Sequence, residues 1–98
     1  MAYDPGAIEA ALAAAVGDEP GLIADLRVAF HDSVDRALTA LEQATDESGW
    51  RAAAWRLKGL AASFGAIRLM ALASEAADRS HGDARTLRRL RRAVERLV

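Results

Sequence analysis

Apolar residues along this chain recur at three- and four-residue spacings rather than alternating, which is the period of helices with one buried face. The clearest run is Leu22, Ile23, Leu26, Phe30, Val34, Ala37, Leu41 and Ala44, and it predicts a long helix from about residue 19 to Thr45. Ahead of it, Asp4-Pro5 pairs a capping side chain with a proline suited to a first turn. A short helix is therefore expected to about Val16, with Gly17 as its stop and Asp18-Glu19-Pro20 as the restart. After the long helix, Asp46, Glu47, Ser48 and Gly49 form a polar break. The next helix is expected from about Gly49 to Ser63, ended by Gly65. Another follows over about 66–80 with Leu69, Leu72, Ala73 and Ala76 turned inward. Ser80-His81-Gly82-Asp83 breaks the chain once more. With Asp83 as cap, a last helix runs to the C-terminus and carries Leu87, Leu90, Val94 and Leu97 on one stripe.

Breaks this short make consecutive helices antiparallel neighbours. The expected fold class is all-α: an antiparallel four-helix bundle with a short additional N-terminal helix capping one end, residues 1–98 forming a single domain. Composition agrees with helices rather than sheet, since 24 alanines and 12 leucines can fill helix seams while five valines and three isoleucines leave little for strands. The absence of cysteine excludes disulfides, iron–sulfur clusters and thiolate zinc sites. No uncharged apolar run reaches the ~18 residues of a membrane span. Met-Ala-Tyr-Asp-Pro does not open a basic-then-apolar leader, so a cytoplasmic protein, or an excised piece of one, is the expectation.

The net charge of −1 conceals an asymmetry: residues 1–49 hold two arginines against ten acids, and residues 50–98 hold eleven basic residues against four acids. Arg85, Arg88, Arg89, Arg91, Arg92 and Arg96 crowd the last helix. A basic helix can grip the phosphates of nucleic acid or an anionic membrane. This one, however, carries an apolar stripe that belongs in the bundle, and no aromatic interleaves its arginines. They are expected to face solvent or to meet Asp25, Asp32, Asp35 and Glu42 on the long helix, with an acidic partner as a further option. Neither nucleic acid nor membrane is expected as a partner.

The helix over about 49–63 carries the functional information. At about 100° per residue, Trp50, Ala53, Ala54, Leu57, Leu60, Ala61 and Phe64 share the core arc, and Trp55 lies about 160° from its centre. Gly59 and Ala62 continue the outward side, Arg51 stands one turn earlier, and Lys58 sits at the edge. A large aromatic facing solvent is set beside a mid-helix glycine that costs about 1 kcal/mol relative to alanine. That combination points to a docking surface, an anchor among small residues that let a partner approach closely. The plainer alternative is that Trp55 packs on a neighbouring segment and Gly59 is merely tolerated.

Residues 53–66, Ala-Ala-Trp-Arg-Leu-Lys-Gly-Leu-Ala-Ala-Ser-Phe-Gly-Ala, resemble the signature of histidine phosphotransfer (HPt) domains, roughly Ala-His-x-Leu-Lys-Gly-Ser-Ala-x-x-Leu-Gly-Ala. The long helix ending in an acidic break before the motif, and the helix from Ile67-Arg68-Leu69 through Glu75 after it, fit the same family. The resemblance covers about residues 18–80 well and implies an HPt-type bundle. Where the family has its phosphorylated histidine, this chain has Trp55. The family's lysine, which helps bind the phosphoryl group, is present as Lys58. Its glycine, which clears space for a receiver domain, is present as Gly59. The resemblance thus implies that docking is kept and phosphotransfer lost. An indole nitrogen only donates a hydrogen bond and cannot attack phosphorus.

Only His31 and His81 remain as histidines, one on the flank of the long helix and one in the last loop, and neither has a Lys-Gly neighbourhood like the one after Trp55. Both read as surface residues, and two histidines far apart make no metal site. No glycine-rich phosphate loop, Ser-His-Asp set or carboxylate pair stands out. No catalytic residue, cofactor or metal is expected. The expected function is a non-catalytic module of two-component signalling that binds a response-regulator receiver domain or a hybrid histidine kinase through Arg51, Trp55, Arg56, Lys58, Gly59 and Ala62. The alternative is a structural module that forms a homodimer through the same face across a two-fold axis. Phosphotransfer through His31 or His81 ranks third.

Overall fold

The computed structural model describes residues 8, 10, 11 and 20–97. Among these residues the complete helices are α1 (Pro20–Gln43), α2 (Glu47–Ser63), α3 (Ile67–Ala77) and α4 (Ala84–Glu95), and none is in a strand. Ile8, Ala10 and Ala11 are also helical, and Ile8 is buried. The rest of the short N-terminal helix expected to about Val16 lies outside the described residues, as does its capping of the bundle.

Local bonding explains where each helix departs from its expected bounds. α2 begins at Glu47 rather than Gly49 because Asp46 serves as its N-cap: its backbone is extended, and its carboxylate accepts the Gly49 N–H at 2.7 Å. At the other end the Ala66 N–H reaches Ala61 O at 2.9 Å and the Gly65 N–H reaches Ala62 O at 3.3 Å. This is a Schellman closure, and it needs the left-handed φ of 69° at Gly65. α3 stops at Ala77, short of residue 80. The Asp78 and Arg79 N–H groups turn back to Glu75 O and Ala76 O, and the His81 N–H is drawn across to Glu47 Oε1. α4 stops at Glu95, where a tightened turn carries Leu97 into the core. Asp83 holds the N-cap position of α4, but its carboxylate takes the Thr86 hydroxyl at 2.7 Å and no capping bond to the backbone.

The helices pack in a ring, α1 on α2, α2 on α3, α3 on α4 and α4 back on α1. Consecutive helices run antiparallel, joined by short turns and by contacts across their seams. Trp50, near the start of α2, donates its indole N–H to Ala76 O near the end of α3 at 2.7 Å. Phe30 meets Phe64, just past the end of α2, with ring centroids 4.5 Å apart. Arg89 of α4 reaches back to Glu75 of α3. One hydrophobic cluster joins all four helices, with Phe30, Val34, Leu38, Leu41, Trp50, Leu57, Leu69, Leu90 and Leu97 fully buried and alanines between them. Each such large side chain contributes about 1.5–3 kcal/mol by leaving water.

The expected core faces of α2 and α3 are buried as their spacing predicts, with Leu60 and Phe64 partly so. α1 differs at its beginning: Leu22 is 46% exposed and Ile23 and Leu26 are only half-buried. Because Phe30 already lies opposite Phe64, the first turns of α1 run on past the α2–α3 turn. Leu38, Thr86 and Ala93 are buried in addition to the expected stripes.

Candidate functional site

All the expected docking residues stand on α2, and its rotation is fixed from within. Trp50, Ala54, Leu57 and Ala61 are fully buried, Trp50 is bonded to α3, and the opposite side must therefore face out. Trp55 is 50% exposed in the middle of the helix, as expected from its position on the wheel. Arg51, Arg56, Gly59 and Ala62 are exposed and Lys58 is half-buried. Arg51, Trp55, Lys58, Gly59 and Ala62 fall on one stripe, while Arg56 stands about 100° round from Trp55 and flanks it.

The Lys58 ammonium lies 4.5 Å from the centroid of the Trp55 ring. At an exposed position such a cation–π contact is worth about 0.5–1 kcal/mol. One face of the indole is thereby taken by the lysine. Among the described residues no acceptor takes the Trp55 indole N–H, in contrast to that of Trp50.

Gly59 sharpens the description. A Cβ built there meets nothing within 4 Å, and its backbone is ordinary helix. Among the described residues no close approach calls for glycine at this point, and neither does a left-handed φ. Its carbonyl accepts the Ser63 hydroxyl at 3.0 Å. Ala52 and Ser63 are small and exposed beside the same stripe; they were not singled out from the sequence, although the spacing that selected Ala62 also reaches them. The face is thus one aromatic on a bed of small side chains, with Arg51, Arg56 and Lys58 supplying positive charge around it.

The two histidines belong to other elements. His31 is half-buried on α1 with its ring edge-on to Phe30 at 5.8 Å. His81 lies in the α3–α4 loop, where its N–H donates to Glu47 Oε1 at 3.2 Å and its Nδ1 sits 3.3 Å from the same oxygen. These bonds, the backbone N–H first, hold the Glu47 carboxyl below its ordinary value of 4.5. His81 therefore fastens a loop to the start of α2. Among the described residues no group of three or more histidines and carboxylates is arranged to hold a metal ion, and no helix is long and apolar enough to cross a membrane.

Two arginines of α4 pair with acids of the neighbouring helices. Arg91 bonds to both carboxylate oxygens of Glu42 at 2.9 Å and to Asp35 at 3.3 Å, joining α4 to α1 through two of the acids expected to meet them. Those bonds, that of Glu42 foremost, push the Arg91 guanidinium further up. Arg89 meets Glu75 of α3 at 3.4 Å, a partner not foreseen from the sequence. Asp25 and Asp32 form no ion pair with these arginines.

At the position of Trp55 the indole nitrogen offers no lone pair for attack, since that pair belongs to the ring system. Comparison with known protein families, with curated proteins and with solved structures finds no match for this chain.

Proposed function

We propose that this chain is an HPt-like interaction module of two-component signalling that has lost phosphoryl acceptance and works by docking. The reading starts from the resemblance of residues 53–66 to the HPt signature, with Trp55 at the histidine position and Lys58 and Gly59 kept. One observation carries it furthest: a half-exposed tryptophan in mid-helix stands one turn before a glycine that no contact among the described residues requires. A bare helix surface of this kind lets a partner's backbone come close, and an aromatic of this size is the usual centre of an interface. The partner would be a receiver domain or the hybrid histidine kinase carrying one, in the cytoplasm, with Arg51, Arg56 and Lys58 facing its acidic phosphorylation pocket. Binding there without taking phosphate would sequester the regulator or compete with a true phosphotransfer protein.

The test is a capture experiment from native cell extract with the wild-type chain and Trp55→Ala. Enrichment of receiver-containing proteins by wild type alone supports the reading. A concentration-dependent mass by sedimentation that disappears in Trp55→Ala, with no receiver captured, replaces it with self-association. Trp55→His adds a chemical arm: on this reading it accepts label from a phosphorylated cognate receiver whereas wild type does not.

A further inference from the structure

We propose that the groove between α3 and α4 holds a small free oxyanion of two or more charges, of the phosphate or diphosphate kind. It would bind between Arg68, Arg89, Arg92 and Arg96. These side chains and Ala93 line a hollow of about 190 Å³, several times the ~30 Å³ share of one water molecule. Only one carboxylate serves the four guanidinium groups among the described residues: Glu75 meets Arg89 at 3.4 Å. Arg68, Arg92 and Arg96 have no acidic partner among the described residues. Like charges gathered at one recess repel, and the chain does not lack acids with which to offset them. It places Asp35 and Glu42 on the other side of α4, where they take Arg91.

Backbone dipoles account for only part of this arrangement. Arg92 in the last turn of α4 and Arg96 at its C-cap stand at the negative end of that helix, a favourable place for a cation. Arg68 stands in the first turn of α3, at a positive end, where a cation is disfavoured. Planar guanidinium forks match an oxyanion in pairs, so a multiply charged anion would offset the repulsion and use donors that are otherwise spent on water.

The neighbouring hollow on the same groove provides a contrast. It is lined by Arg79, Arg85 and Arg89, but also by Asp83, and so holds its own counter-charge. Carboxylates therefore border the candidate site: Glu75 and Asp83 along the groove, and Glu42 beyond Arg91 on the far side of α4. That border suits a compact anion and opposes a long polyanion lying across the helix. The site shares no residue with the Trp55 face, and either can fail without the other.

The test uses inorganic pyrophosphate at constant ionic strength, with chloride and acetate as controls, followed by calorimetry and by the arginine side-chain N–H signals in NMR spectra. The expected result is saturable one-to-one binding that moves the signals of Arg68, Arg89, Arg92 and Arg96. The double variant Arg92→Gln, Arg96→Gln should bind about tenfold more weakly or worse, by the loss of charge-assisted bonds. Arg36→Gln, an exposed arginine on α1 outside the hollow, should bind as wild type. A structural signature accompanies this: pyrophosphate should raise the melting temperature of wild type and leave that of the double variant unchanged. Absence of saturation, equal affinity in wild type and the double variant, or saturable binding of duplex DNA that pyrophosphate does not displace would each overturn the proposal.

Discussion

Replacing Trp50 with alanine removes a side chain with no exposed surface together with the bond its indole gives to Ala76 O. The expected cost is about 3–5 kcal/mol, enough to unfold a domain of this size at modest urea concentration. The same replacement at Trp55 removes a half-exposed ring and one cation–π contact, and should cost about 1 kcal/mol or less. Urea midpoints of the two variants measure the difference, and a large loss at Trp55 would mean that its ring is structural. Gly59→Ala should shift the midpoint the other way, stabilising the helix by about 0.5–1 kcal/mol, because the added Cβ has open space around it. If the same variant also weakens partner capture, the glycine is kept for the partner. At this scale the sequence is legible where rotation alone decides. A fixed turn per residue sets Trp55 opposite Trp50, but the resting of Lys58 on the indole depends on rotamers that spacing does not encode.

Helix ends depend on single bonds, and those bonds carry their own pH dependence. The Glu47 carboxylate, at the first residue of α2, takes the His81 N–H and faces the His81 ring, and its pKa is lowered for that reason. A carboxyl lowered by folding stabilises the protein fully above the unfolded value near 4.5, and that contribution is lost as pH falls through the lower folded value. Thermal melting followed from pH 6 down to about pH 3 should therefore decline below about 4.5 more steeply in wild type than in Glu47→Gln. Equal slopes would show that the tie between the last loop and α2 contributes nothing. This bond was not legible in the sequence, since it joins residues far apart along the chain. Asp46 as a cap was visible, yet the expected start fell at Gly49 because a cap and the first turn it closes look alike in a polar run. Leu22 misled for a related reason: periodicity marks the apolar face of a helix but not how far the neighbouring helices extend alongside it. Leu38 was missed because α1 packs on both α2 and α4 and so buries a wider arc than one stripe.

Taken whole, the acidic first half and the basic second half meet mainly where Arg91 of α4 bonds to Glu42 and Asp35 of α1. That contact closes the ring of helices between the first and the last. Partly exposed pairs of this kind are each worth about 0.2–1 kcal/mol and are screened by salt. Raising sodium chloride from low concentration should lower the wild-type melting temperature slightly, and Arg91→Gln should lower it at the outset and flatten the dependence. A salt response unchanged in the variant would place the attraction elsewhere. The general pairing was foreseeable from charge bookkeeping along the chain; its assignment to one arginine was not, because five arginines lie within α4 and only packing chooses among them.

The contrast between the two tryptophans has a practical consequence. Trp50 is sealed from solvent, whereas Trp55 presents half its surface to it. An aqueous collisional quencher such as iodide should therefore extinguish one emitter and leave a blue-shifted remainder. Any molecule that settles on the α2 face would protect the quenchable fraction, while unfolding would expose the protected one. The chain thus carries two intrinsic fluorescent reporters, one of occupancy and one of integrity, readable in a single titration without any added label.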